Sequence, residues 1–296
     1  MSVFVSGSPI LPPAQDSTRF EALKARHLLL AFLLINLMAG LVVVLMARLL
    51  DLEADDPLLA YFVYCSTFIL ICVWSWQRGQ QADLQMGQLW GNWRSPIPWR
   101  SLLRVVLALV MLSMGTTLLM LYLVSLPSPE LAESMLYSLG EDASGTAWPL
   151  VYQGLRWLSI VVVAPVTEEW LFRGILLHRW GLKWGIPKGL LASSILFGLL
   201  HPNPIGLTVF GLVMGLFYLQ TRSLSLPILA HVLNNILALT LGSLGGEGAE
   251  QSDPIGIFYL YYSLFCLILA GFVLVPFIRF HWPDRGARLP YFLNSR

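Results

Sequence analysis

Apolar stretches, most of them about twenty residues long and therefore able to cross the hydrocarbon of a bilayer as helices, recur along this chain. They run Leu28–Ala47, Leu58–Trp76, Val105–Leu126, Trp157–His178, Gly189–His201, Pro204–Gln220, Leu224–Gly242 and Ile257–Phe280. The pattern predicts an all-α membrane protein, an eight-transmembrane-helix bundle. Composition agrees. Of 296 residues 56% are hydrophobic and only 12% charged, against about 25% charged in an ordinary soluble domain. A soluble globular enzyme and a disordered chain are excluded on that ground, and a net charge of +1 excludes a nucleic-acid partner. Cys65, Cys72 and Cys266 lie inside apolar stretches with no CxxC spacing, so they read as small buried hydrophobes.

The first stretch is too long for a signal-peptide core and no small-residue cleavage site follows it, so it is expected to be a permanent helix. Residues 1–26 read as a short mobile cytoplasmic tail, 27–147 as the first three spans with their loops, 148–245 as the catalytic core, and 246–296 as the last span with a cytoplasmic tail. Trp90, Trp93 and Trp99, among Gln, Gly and Pro in Gln77–Arg100, suit an interfacial belt. Glu130–Trp148 and Ser243–Pro254 read as acidic loops. With eight spans and the N-terminus inside, sixteen of the eighteen Lys and Arg residues face the cytoplasm; Arg48 and Arg156 remain outside. That asymmetry obeys the positive-inside rule. The expectation is an integral, multi-pass protein, in the plasma membrane of a bacterium, with both termini cytoplasmic.

Ionisable groups within a bilayer are costly and usually functional. Three clusters stand out: Glu168, Glu169 and Arg173 in the fourth stretch, Phe197 and His201 ending the fifth, and His231 and Asn235 in the seventh. Counted from the inner ends at the helical rise, Glu168, His201, His231 and Asn235 all lie about 11 to 18 Å deep. The fifth stretch is too short to span and stops at His201-Pro202-Asn203-Pro204. A helix broken at that depth must line protein or a water-filled cavity, so water is expected to reach His201 in an intramembrane active-site cavity. Glu169 and Arg173 stand i, i+4 and can pair, while Glu168 points about 100° away and is free for other work. His231 and Asn235 share a face. A carboxylate and an imidazole holding water is a device for hydrolysis, and His231 with Asn235 offers donors to an oxyanion.

The order Glu168-Glu169 with Arg173, Phe197 with His201, and His231 with Asn235 resembles the EExxxR, FxxxH and HxxxN/D pattern of the CPBP intramembrane proteases. That family includes the type II CAAX prenyl endopeptidases and the bacterial Abi proteins. The resemblance covers about 150 to 242, and the first three spans carry no motif. It implies an intramembrane endopeptidase acting on a membrane protein or a lipidated, CAAX-type peptide in the lipid bilayer. Glu168 and His201 would activate water, His231 and Asn235 would stabilise the tetrahedral intermediate, and Glu169 with Arg173 would shape the site. There is no HExxH motif. Glu168, His201 and His231 can ligate Zn²⁺ in a three-ligand open arrangement, and a metal-free glutamate–water mechanism uses the same residues, so the expected cofactor is none or Zn²⁺.

Blander readings stand beside these. Glu169 with Arg173 can be a structural ion pair, His201 a helix cap, and His231 with Asn235 interhelical glue. His27, His178 and His281 read as interfacial, and Arg156 as a boundary residue. The competing functions are a proton-coupled or ion transporter using the buried Glu, Arg and His, and a catalytically silent immunity or scaffold protein.

Overall fold

The structure, a computed structural model, describes residues 18–53, 55–92, 97–139, 146, 148–246, 255–284 and 286–294. Among these the regular structure is helical, without strands. In chain order the principal helices are α1 (Ala25–Leu49), α2 (Pro57–Gln81), α3 (Trp99–Ser125), a continuous helical run over residues 149–184 (α4), α5 (Ile186–Leu199), α6 (Pro204–Thr221), α7 (Ser225–Gly246) and α8 (Ile257–His281). Each of the eight apolar stretches falls on one of them. Among the described residues, however, crossing length and composition are met by six helices, α4 and α5 being the exceptions. The 14 residues of α5 rise about 21 Å, short of the roughly 30 Å of hydrocarbon. In α4 the α-helical pieces Pro149–Leu158, Ala164–Glu169 and Leu177–Trp184 alternate with π turns at Ser159–Val163 and Trp170–Leu176, and three charges fall between Glu168 and Arg173.

Helix starts follow from local chemistry. At α2, Asp56 accepts the N–H of Leu58 at 2.9 Å and Pro57 occupies the first turn, where its missing N–H costs nothing. At α6, Asn203 accepts the N–H of Gly206 at 3.0 Å ahead of Pro204. The Asn203 amide nitrogen also donates to α3, at 3.1 Å to the Ser113 carbonyl and 2.7 and 3.0 Å to the Thr116 and Thr117 hydroxyls. The break between α5 and α6 is therefore fixed, and Gly198 lets the two helices close: a Cβ there would overlap Thr208 and the Pro204 carbonyl.

From Thr167 to His178 every residue of α4 is buried, and α2, α5, α6 and α7 pack around it. The widest helix–helix contact joins α3 to α8. Leu29, Leu33, Leu37 and Leu41 on α1 and Phe258, Phe265 and Phe272 on α8 are largely exposed. An apolar exterior of this extent suits hydrocarbon.

The described part of residues 1–26 departs from the expectation of a short mobile tail. Phe20 and Leu23, in a short helical turn at Phe20–Leu23, are fully buried. Phe20 stacks on His178 and meets the ring of Tyr291 edge-on, so the segments around Phe20 and Tyr291 meet at one end of the bundle. Residues 1–17 of the expected tail lie outside the described residues. His178, expected at an interface, has no exposed surface: its Nδ1–H donates to the Arg173 carbonyl and its Nε2 accepts the Tyr291 N–H. The linker after α2 likewise turns inward. Leu84, Met86 and Leu89 are buried, the Leu89 carbonyl accepts the Tyr218 hydroxyl, and Asn294 donates to the carbonyls of Gln88 and Arg222. Trp90 and Trp99 keep partial exposure; Trp93 lies outside the described residues. Within the segment read as a loop after α3, Pro129–Leu139 is helical. The loop expected at Ser243–Pro254 is helix as far as Gly246, and residues 247–254 lie outside the described residues.

Candidate active site

Glu168 and Glu169 leave α4 in different directions, as adjacent residues on a helix must. Both are buried. Glu169 Oε1 accepts from Arg173 Nη1 at 3.1 Å and from His231 Nδ1 at 3.0 Å. Arg173 is itself held on two further sides: Nη2 donates to the Gly211 carbonyl of α6 at 2.9 Å, and its guanidinium lies 4.7 Å from the centre of the Phe197 ring on α5. One cation therefore ties α4, α5 and α6 together. Among the described residues the second oxygen of Glu169 is buried without a hydrogen-bond partner.

Glu168 faces Tyr64 and two histidines. Its Oε1 accepts the hydroxyl of Tyr64 at 3.0 Å, which leaves Oε2 aimed at two imidazoles. His201 Nε2 lies 3.9 Å from Oε2 and His231 Nε2 lies 4.0 Å from it. The tautomers follow from the other ring nitrogens. His201 Nδ1 sits 2.6 Å from the Phe197 carbonyl and His231 Nδ1 sits on the Glu169 carboxylate, and both partners only accept. Each Nδ1 thus carries hydrogen, and in the neutral rings both Nε2 lone pairs converge on Glu168 Oε2. At 29% side-chain exposure His201 is the open member of a set whose carboxylate is 7% exposed, so the cluster is reached from the His201 side.

Separations of 3.9 and 4.0 Å are too long for direct hydrogen bonds, yet one water about 2.8 Å from each partner spans them. The same distances bear on a metal. Two ligands of one tetrahedral zinc, each at about 2.0–2.1 Å, stand roughly 3.4 Å apart. Glu168 and the two histidines are wider than that, and among the described residues no group of three or more such side chains is placed to hold an ion. The donor types suit zinc, but their spacing does not.

Asn235 Nδ2 donates to the backbone carbonyl of Ile160 at 2.7 Å, and the Asn234 amide approaches Asn235 Oδ1 at 3.4 Å. The structure thus draws Glu168, Glu169, Arg173, His201 and His231 into one cluster, with Phe197 beneath His201 and Arg173, and binds Asn235 to the first π turn of α4.

Two contributors escaped sequence reasoning. Tyr64 comes from α2, a helix with no motif, and a tyrosine well inside an apolar span was the available signal. The Gly211 carbonyl is a backbone group in a tightly packed stretch; a Cβ at Gly211 would crowd Arg173 Nη2 at 3.2 Å.

Comparison with known proteins adds a family to this geometry. Residues 150–237 match the family model described as type II CAAX prenyl endopeptidase Rce1-like, in keeping with the resemblance carried by the three motifs. An uncharacterized 24.3 kDa protein of Escherichia coli is 32% identical over 96 residues, 30% of this chain and 44% of that protein. The "Putative membrane peptidase YdiL" of Bacillus subtilis is 28% identical over 115 residues, 37% of this chain and 47% of that protein. The chain thus spans less than half the length of these curated relatives. No solved structure matches it.

Proposed function

With an Rce1-like segment over residues 150–237 as the premise, we propose that the chain is an intramembrane endopeptidase that hydrolyses peptide bonds in a membrane-associated or lipidated, CAAX-type protein. The observation that carries this reading is the convergence of two imidazole Nε2 atoms on Glu168 Oε2 within 4.0 Å, open to the outside through His201.

In this reading a water sits among Glu168 Oε2, His201 Nε2 and His231 Nε2. The buried set holds two carboxylates against one guanidinium, so one proton shared among Glu168, His201 and His231 makes it neutral, the state a low-dielectric site favours. On His231 that proton sits at Nε2 and gives a donor, its positive charge facing the Glu169 carboxylate. Glu168 withdraws a proton from the water as its oxygen attacks the scissile carbonyl carbon. The resulting oxyanion accepts from His231 Nε2–H and from the second hydrogen of the Asn235 amide, the first being engaged by Ile160. Glu168 then passes its proton to the amide nitrogen, the C–N bond breaks, and the acid and amine products leave. Glu169 and Arg173 hold His231 and α6 in place. No metal enters these steps, because the ligand spacing does not call for one.

Comparative membrane proteomics of cells with the wild-type chain and with Glu168→Ala tests the proposal. The expected result is accumulation of at least one uncut membrane precursor in the variant while the variant itself inserts normally. Identical terminal peptides in the two strains, or solute flux through proteoliposomes of the purified protein without a peptide product, would overturn it; the latter would favour transport.

A further inference from the structure

Between Ser159 and Val163 the α4 backbone runs in the π register: the N–H of Ala164 reaches back five residues to the Ser159 carbonyl. Continued by one residue, that register would bring the N–H of residue 165 to the Ile160 carbonyl. Residue 165 is proline, which has no N–H to give. The α register offers no remedy, since the ring of Pro165 would then press on the carbonyl of Val161, four residues back. The Ile160 carbonyl is left without a donor from its own helix, in surroundings where an unpaired carbonyl is expensive. The donor comes from α7: Asn235 Nδ2 stands 2.7 Å from it.

The widened turn has a geometric use. Ser159, at its start, contacts Cys65 of α2 at 3.0 Å. Glu168, beyond it, accepts from Tyr64 of α2. Two neighbours on α2 thus touch α4 at positions nine residues apart. In an unbroken α-helix nine steps of about 100° put Ser159 and Glu168 on opposite faces. Five of those steps taken at the π pitch, about 82° each, reduce the offset to roughly 90°, and both side chains can face α2.

We propose that Pro165, the Ile160 carbonyl and Asn235 form a latch that holds this π turn, and that Asn235 is through it a positioning residue for Glu168. Its consequence for catalysis rests on the peptidase reading; the latch itself does not. Pro165 bars the α register, Asn235 satisfies the carbonyl that the π register orphans, and the phase they set aims Glu168 at the imidazoles. An asparagine that only bound an oxyanion would have no dependence on a proline in another helix.

A double-mutant cycle on the full-length protein in detergent tests that dependence, with Asn235→Ala made in the wild-type chain and in Pro165→Ala, where the substituted alanine regains an N–H for the Ile160 carbonyl. Loss of a buried carbonyl's partner is expected to lower Tm by about 3 °C or more in the wild-type background. In the Pro165→Ala background the loss should be no more than about a third of that. Equal losses in both backgrounds would overturn the latch. If Asn235→Ala does not accumulate, recovery of the double variant to the yield of Pro165→Ala supports it, and equal failure of both overturns it. In a reconstituted cleavage assay, kcat per folded molecule falls at least about tenfold in Asn235→Ala with KM within about twofold, and the fold loss is smaller when the same change is made in Pro165→Ala, whereas loss of an oxyanion donor alone would cost the same factor in both backgrounds. Equal fold losses of kcat in the two backgrounds would overturn the positioning role. A wild-type protein that cuts no peptide would overturn the peptidase reading, and the thermal cycle would still decide the latch.

Discussion

Replacing Glu168 by Gln separates chemistry from architecture at this site. The Gln side chain has the same length and shape, and its amide oxygen can accept the Tyr64 hydroxyl that Oε1 accepts at 3.0 Å. Its NH₂ would occupy the place of Oε2, 3.9 and 4.0 Å from two imidazole nitrogens that offer lone pairs. The packing is kept, a donor faces two acceptors, and a buried charge is removed. Glu169 and Arg173 then balance each other without a further proton. The variant is therefore expected to insert normally and to melt no lower than wild type. What it loses is the group that takes the proton from water. General-base catalysis is worth about 10²–10⁴ in rate, or about 3–5 kcal/mol of activation free energy. The assay is single-turnover cleavage, in liposomes, of a precursor identified by the proteomic comparison. A Glu168→Gln rate within about tenfold of wild type, with unchanged melting, would refute the assignment. Low yield with full activity per folded molecule would mean instead that Glu168 is a structural partner of Tyr64 and the histidines.

The neighbouring groups give further outcomes. Tyr64→Phe deletes one hydrogen bond to a buried carboxylate, worth about 1.5–3 kcal/mol; kcat is expected to fall about 10–100-fold with KM nearly constant, measured on the same precursor. Arg173→Met leaves the buried Glu169 without its guanidinium, facing His231 alone, and is expected to cost about 3–5 kcal/mol, seen as loss of detergent-stable protein. Adding Glu169→Leu to it removes the orphaned charge and should recover much of the yield. Incubation with EDTA or phenanthroline should leave the rate within about twofold; loss of activity restored by one equivalent of zinc would move water activation to a metal.

The spans were legible because a bilayer imposes a length and a polarity on anything that crosses it, and α1, α2, α3, α6, α7 and α8 meet both demands locally. The departures share one physical reason. Phe20 and Leu84 are single apolar residues in polar company, and Leu89 and Tyr291 belong to apolar runs of only two to five residues, too short for the periodicity that announces an element, and each is buried only because another part of the chain closes over it. His178 looked interfacial by its place near the end of a span, but its environment is set by Phe20 and Tyr291, which arrive from opposite ends of the chain.

At the candidate site, depth and spacing identified the polar groups that meet, because a carboxylate or imidazole in hydrocarbon must find company. They identified less well what each group is doing there. The i, i+4 spacing of His231 and Asn235 placed both on one face of α7, yet that face meets two different features of α4: His231 the Glu169 carboxylate, Asn235 a carbonyl made available by a proline. No count along α7 can register that carbonyl, since it exists only through the register of another helix. Tyr64 was hidden for a similar reason. A tyrosine in an apolar span is ordinary until the phase of α4 is known, and that phase depends on whether the turn at Ser159–Val163 is α or π. A substitution that returned this turn to the α register would leave every motif residue in the sequence and still turn Glu168 away from Tyr64 or Ser159 away from Cys65. In the proposed reading the three motifs specify the groups for hydrolysis, while the π turn before Glu168 specifies the direction in which the carboxylate points.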